Sequence, residues 1–212
     1  MSLSARLSAV AALAFAALLL AVPARALEEG VEYVRLPVAQ PTETGDKVEV
    51  LEVFWYGCPH CWHLEPTLNS WVATMPESAA FRRMPATGAR WDPHARAYFA
   101  AEAMGKLDVF HEALFKAMQV DKRRIYSEND LVKFAEEVGI DPKEFRAAYE
   151  SFAVETKLAK AKEMQSRYGI DGVPAVIVNG KYRTGPSQAG STDRFVEVLN
   201  GLVAQESGAK AK

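Results

Sequence analysis

The chain has 212 residues, 49% of them hydrophobic, with 25 Lys and Arg against 27 Asp and Glu and a formal charge of −2 at neutral pH. This near balance, with no basic cluster, argues against an electrostatic nucleic-acid binder, and no stretch after residue 26 is apolar enough to span a bilayer. The two cysteines, Cys58 and Cys61, are too few and too close for a disulfide-stapled scaffold.

The first segment does not belong to the fold. Arg6 supplies a short positive region, Leu7 to Val22 is apolar except for Ser8, and Pro23-Ala24-Arg25-Ala26 offers an Ala-x-Ala cleavage site. The run is short for a membrane anchor. A signal peptide over residues 1–26, cleaved after Ala26, is therefore expected, and with it export. The remaining residues 27–212 carry 23 basic and 27 acidic side chains, a charge of −4, and suit one domain with a real core.

Residues 28–46 read as an extended arm with a short strand at Glu32–Leu36, followed by a loop punctuated by Pro37, Pro41 and Gly45. Lys47 to Tyr56 is the strongest strand signal, apolar on both faces like a central strand covered on both sides. A helix is predicted from about Cys58 to Thr74, with Pro66 inside it, and a strand at Ala80–Pro85. From Asp92 to Tyr168 the pattern is helical. Asp92-Pro93, Ser127 and Asp141-Pro142 serve as start signals and Gly105 and Gly139 as stops, and Asp141 to Tyr168 fits either two helices or one bent helix. Strand signals return at Ala175–Val178 and Lys181–Thr184 around Asn179-Gly180, the sequence of a two-residue type I′ hairpin. Ser191 or Thr192 caps a last amphipathic helix, and a frayed tail is expected from Glu206 to Lys212. The order implies a small mixed α/β sheet with a helical block lying as a cap over one end.

The chemistry gathers in Tyr56-Gly57-Cys58-Pro59-His60-Cys61-Trp62, at the junction of the strongest strand and a helix. A disulfide between Cys58 and Cys61 would close a loop of almost no length and so constrain the unfolded chain very little. The pair is better placed for chemistry than for stability. Cys58 stands at a helix start, where unpaired backbone N–H groups and the helix dipole favour an anion. Pro59 presets the helical backbone there, and His60 can hydrogen-bond to the Cys58 sulfur or carry positive charge beside it. All three lower the thiol pKa and make a disulfide easier to reduce. Cys61, one turn inside, is the expected resolving thiol.

Zinc is the competing reading, because Cys58, His60, Cys61 and His63 are four possible ligands in a row. Ligands packed that tightly on one helix cannot surround one ion, and His94 and His111 stand without a paired motif, so no metal site is assigned.

The Cys58-Pro59-His60-Cys61 motif, the Val50–Tyr56 strand before it and Gly172-Val173-Pro174 before a terminal strand together resemble the DsbA family of periplasmic thiol–disulfide oxidoreductases. The resemblance spans essentially the whole chain after the signal peptide. It implies a thioredoxin fold over residues 27–88 and 166–206, a helical insertion over residues 89–165 and a flexible tail over 207–212. It further implies a redox-active Cys58–Cys61 disulfide, a cis peptide at Val173-Pro174 beside it that lets an extended substrate pair with the Val173 backbone, and no bound cofactor. The implied partners are exported cysteine-containing polypeptides and a DsbB-type membrane protein that returns electrons to quinone. A monomer in the periplasm is the expected state. A reductase or isomerase of the same fold, and a metal-binding or chaperone module whose thiols are not turned over, are the alternatives.

Glu52 shares strand parity with Val48, Val50, Phe54 and Tyr56, so an acid points where apolar side chains belong. It is either a strand-end carboxylate reaching water or an arginine, with Arg82 and Arg83 as candidates, or, as the family suggests, a buried acid beneath Cys61 that takes or relays its proton. Glu49 falls on the opposite face and reads as a surface residue. Trp55, Tyr56, Trp62 and Trp91 read as core, and His63, His94 and His111 as solvent-facing or internally satisfied.

Overall fold

The computed structural model describes residues 26–210, so the expected signal peptide lies outside the described residues except for Ala26. The arm contributes β1 (Val34–Arg35), shorter than the expected strand. Then come β2 (Val48–Phe54), α1 (Pro59–Thr74) and β3 (Ala79–Pro85). Five helices follow before the next strand: α2 (Asp92–Ala103), α3 (Leu107–Gln119), α4 (Glu128–Glu137), α5 (Pro142–Tyr149) and α6 (Phe152–Arg167). β4 (Ala175–Val178), β5 (Tyr182–Thr184), a short α7 (Pro186–Ala189) and α8 (Thr192–Lys210) complete the chain.

The strands form one sheet in the order β1-β5-β4-β2-β3, in which β2 runs parallel to β3 and antiparallel to β4. β2 is an interior strand between β4 and β3, and all seven of its residues are buried, as its apolar character on both faces requires. Strand alternation sorts its side chains. Val48 and Val50 pack with Leu64 and Leu68 of α1 and with Phe195, Val198 and Leu199 of α8. Leu51 and Val53 pack with residues of α6, including Ala161 and Met164. Glu49 has the parity of Leu51 and Val53, and it is buried at 2% exposure rather than on the surface. The arm and the neighbouring strand β3 cover it: Arg82 donates to its carboxylate at 3.2 Å, and so does the Glu43 backbone N–H at 2.8 Å. A strand read in isolation shows neither cover.

Two helical starts are those the sequence marks, at Ser127 and Asp141, whereas α2 begins one residue early, with Trp91 rather than Asp92 at its N-cap and no side-chain cap. Ser127 and Asp130 form a reciprocal capping box on α4, Asp141 accepts from the Lys143 and Glu144 N–H groups, and Ser151 accepts from Val154. Ser151 also settles the 141–168 stretch as two helices. Inside the block Phe110 packs against Phe134 and Phe145, with ring centroids 5.7 and 5.3 Å away.

The hairpin differs from expectation by one residue. Asn179 and Gly180 have φ of 51° and 64°, as a type I′ turn needs, yet Val178 pairs with Tyr182 and leaves Lys181 extra. The Lys181 carbonyl instead accepts from Leu36 N at 2.7 Å, stitching the arm to the turn. Gly180 is required twice over, because a Cβ there would sit 2.1 Å from the Gln40 carbonyl oxygen. Of the expected frayed tail, residues 211–212 lie outside the described residues, whereas Glu206 to Lys210 continue α8, with Glu206 buried and receiving hydrogen bonds from Asn179, Lys181 and Tyr182.

Candidate active site

β2 ends at Phe54, and Trp55-Tyr56-Gly57 carries the chain to Cys58, whose backbone N–H donates to the Trp55 carbonyl at 2.9 Å. Cys58 takes the N-cap position with extended backbone (φ −92°, ψ 113°) and Pro59 begins the helix. The cap makes no side-chain hydrogen bond, so the N–H groups of the first turn are not taken up by a hydroxyl or carboxylate cap. Both cysteines are free thiols, Cys58 at 8% exposure and Cys61 at 0%.

The two sulfurs are driven apart in acidity. Cys58 is lowered to about 6, first by a hydrogen bond from Cys61, then by the backbone N–H groups of Cys61 and His60 and the His60 charge, against the opposing effect of burial. Cys61 is pushed far up by donating that bond and by burial, with the Cys58 charge adding to the effect. At neutral pH the pair is thus a thiolate at the helix start and a buried thiol one turn inside. His60 and His63 are exposed.

Across from Cys58 the Val173–Pro174 peptide is cis. The Val173 carbonyl oxygen lies 3.3 Å from the Cys58 sulfur. A groove of about 240 Å³ runs beside it, lined by His60, Asp171, Val173, Pro174, Arg183 and Gln188. Cys58, Pro59 and His60 meet Val173 and Pro174 at this end of the sheet, although Cys58 and Val173 are 115 positions apart.

Glu52 lies fully buried on the α1 side of β2. Of the two candidate arginines Arg83 is its partner, donating from Nε at 3.0 Å. Burial first, and then the Glu65 charge, push its carboxyl up to about 8 in spite of Arg83. Among the described residues its Oε1 is the one buried side-chain oxygen or nitrogen without a partner. A neutral carboxyl tolerates that far better than a carboxylate.

Sequence reasoning missed the rest of this network. Arg83 also donates to Glu65 and Asn69 of α1, at 2.9 and 3.0 Å. His111 of α3 lies between Tyr56 and Glu65, at 2.8 and 3.4 Å. Burial pushes His111 down, so its neutral ring accepts from the Tyr56 hydroxyl at Nδ1 and presents Nε2–H to Glu65. Burial works to raise Glu65, but the His111 hydrogen bond and the Arg83 charge outweigh it and hold the carboxyl below its ordinary range. The available signal was Glu65 itself, an acid in the stripe of α1 that otherwise buries Cys61, Leu64 and Leu68. Among the described residues no group of three or more His, Cys, Asp or Glu side chains is arranged to hold a metal ion.

Comparison with known proteins agrees with this geometry. Residues 83–199 match the family described as DSBA-like thioredoxin domain. The chain is 39% identical over 187 residues to the thiol:disulfide interchange protein DsbA of Pseudomonas syringae pv. tomato, covering 88% of this chain and 87% of that one. It is 40% identical over 182 residues to the protein of the same name from Azotobacter vinelandii, covering 85% of each. Among solved structures it resembles Pseudomonas aeruginosa DsbA, with a TM-score of 0.83 at 35% identity over 88% of this chain and 97% of that one. The oxidoreductase DsbA from Xylella fastidiosa gives a TM-score of 0.77 at 30% identity, over 84% and 96%. A thioredoxin fold with helices inserted between β3 and β4, a thiol pair of opposed acidity at the start of α1 and these relatives lead to one conclusion: the chain belongs to the DsbA family and is a thiol:disulfide oxidoreductase.

Proposed function

We propose that this oxidoreductase works in the periplasm as a dithiol oxidase, donating a Cys58–Cys61 disulfide to cysteines of newly exported polypeptides. The observation that carries the reading is the lowered Cys58 thiol at a helix start, held first by the hydrogen bond from Cys61 and then by the backbone N–H groups of the first turn. Whatever stabilises the reduced form makes the disulfide a stronger oxidant.

In the forward step a substrate thiolate attacks the Cys58 sulfur. A bond forms between those sulfurs while the Cys58–Cys61 bond breaks, and the departing Cys61 sulfur takes the electron pair. It also needs a proton, because burial keeps it a thiol. Glu52, protonated near neutral pH and buried behind it, is the group assigned to supply one. A second substrate thiolate then attacks the mixed disulfide at the substrate sulfur, and Cys58 leaves as a thiolate without needing a proton. The substrate is oxidised by two electrons and the enzyme holds them as a dithiol.

The groove beside Val173 and Pro174 fits an extended substrate segment paired with the Val173 backbone. No cofactor is required for these steps. Reoxidation is assigned to a DsbB-type membrane partner that passes electrons to quinone, and the enzyme itself to a monomer. Among the described residues no helix is long and apolar enough to cross a membrane.

Equilibration with glutathione buffers tests the direction of the reaction. A potential well above that of thioredoxin, about −270 mV, is expected, with oxidation of a reduced dithiol substrate. A potential near the thioredoxin value refutes the oxidase reading and favours a reductase.

A further inference from the structure

His94 plays no part in the mechanism above, yet it is buried at 1% exposure, 39 positions along the chain from Trp55, to which it is bonded. It sits near the start of α2, the first helix inserted into the thioredoxin fold. The indole Nε1–H of Trp55 donates to its Nδ1 at 2.9 Å. Because indole can only donate, Nδ1 carries no proton, and Nε2–H donates to the Ile125 carbonyl at 2.6 Å. Both ring nitrogens are thereby committed, one to the turn before the redox pair and the other to the loop between α3 and α4.

The Trp55 ring is in turn held against the redox turn. A Cβ on Gly57 would lie 2.3 Å from the indole Cζ2 and 2.4 Å from Cη2, so only glycine lets the backbone next to Cys58 rest on that ring. Trp91 stacks on Trp55 at 5.3 Å between centroids and 26° between planes, and the Tyr126 ring lies 5.4 Å from His94. The Trp55 carbonyl accepts the Cys58 N–H. One residue thus supports Gly57 with its ring and Cys58 with its backbone, and the helical insertion fixes the orientation of that residue.

We infer that His94 is a positioning residue for the redox centre: by holding the Trp55 indole under Gly57, it lets the helical insertion set how Cys58 faces the N–H groups of the first turn of α1. Hydrogen bonds weaken steeply as distance and angle depart from their optimum, so a small tilt of the Gly57–Cys58 turn is enough to change how firmly a sulfur anion is held. The inference shares with the proposed function only that Cys58 is the reactive thiol.

The test compares His94→Leu, which removes both ring nitrogens, with His94→Gln, whose amide can still accept from the indole and donate to a carbonyl. The readouts are thiolate absorbance of Cys58 against pH and the equilibrium constant with glutathione. His94→Leu is expected to raise the titration midpoint and to shift the equilibrium constant at least about threefold toward a weaker oxidant. His94→Gln should stay within about twofold of the parent. Trp55→Phe, which keeps a ring but loses the N–H, should move both readouts the same way, and the double variant should do no more than the larger single change.

A loss of thermal stability with titration and equilibrium unmoved in His94→Leu assigns His94 a structural role only and overturns the inference. Additive effects of the two substitutions overturn it as well. If His94→Leu does not fold, Trp55→Phe alone decides, and an unshifted midpoint in it is equally fatal. A parent protein whose Cys58 titrates at an ordinary thiol value would defeat the proposed function, whereas a low parent midpoint indifferent to His94 defeats this inference alone.

Discussion

Replacing Glu52 by Gln should stabilise the reduced protein, and by an amount that grows with pH. In the folded chain burial and the Glu65 charge raise the Glu52 carboxyl from its ordinary 4.5 to about 8. Between those values the folded state holds a proton that the unfolded chain has released, so raising the pH favours unfolding by about 1.4 kcal/mol per unit. The cost is absent below about pH 4.5 and reaches about 3 kcal/mol by pH 7, after allowance for incomplete titration at the ends of the window. Gln keeps an oxygen to accept from Arg83 Nε and cannot ionise, and Arg83 retains Glu65 and Asn69. Urea unfolding of parent and variant, both reduced, at intervals from pH 4 to pH 7.5 measures the difference. Curves that coincide near pH 4 and separate toward neutrality, with the variant the more stable, are expected. Parallel curves, or a parent that gains on the variant as pH rises, would show that Glu52 is an ordinary ionised partner of Arg83.

Cys58 carries the opposite linkage. Its thiol is lowered from 9.0 to about 6 in the reduced protein, so the stabilisation of that form is fully present above pH 9 and is lost as pH falls through 6. Thiolate absorbance should show a midpoint near 6 that disappears in Cys58→Ser, and the glutathione equilibrium should move toward the disulfide as pH falls from about 9 to about 6 and level off below that; a midpoint near 9 contradicts the site's electrostatics. Phe115→Ala should destabilise by about 3–5 kcal/mol, because the fully buried ring packs against Phe54, Tyr56, Trp62 and His111 where α3 meets β2 and α1. Denaturant unfolding measures it, and a loss below about 1 kcal/mol would mean that this junction contributes little.

The sequence by itself determined the elements and the reactive pair. β2 was legible because its apolar residues fall on both faces, α4 and the start of α5 because Ser127 and Asp141 cap them, and Cys58 because a thiol at a strand-to-helix junction before Pro59 has its chemistry written in local geometry, whereas the break between α5 and α6 at Ser151 was left open. Tertiary structure decided everything that depends on what covers a face. Glu49 and Glu52 are both acids in β2, and no local rule says that the arm and Arg82 close over one while Arg83 and Glu65 enclose the other. His94 and His111 read as unremarkable helix residues, because their meaning comes from Trp55 and Tyr56 across the fold. Burial and charge pairing are sums over distant segments, and those distances set the acidity of a group far more than its neighbours in sequence do.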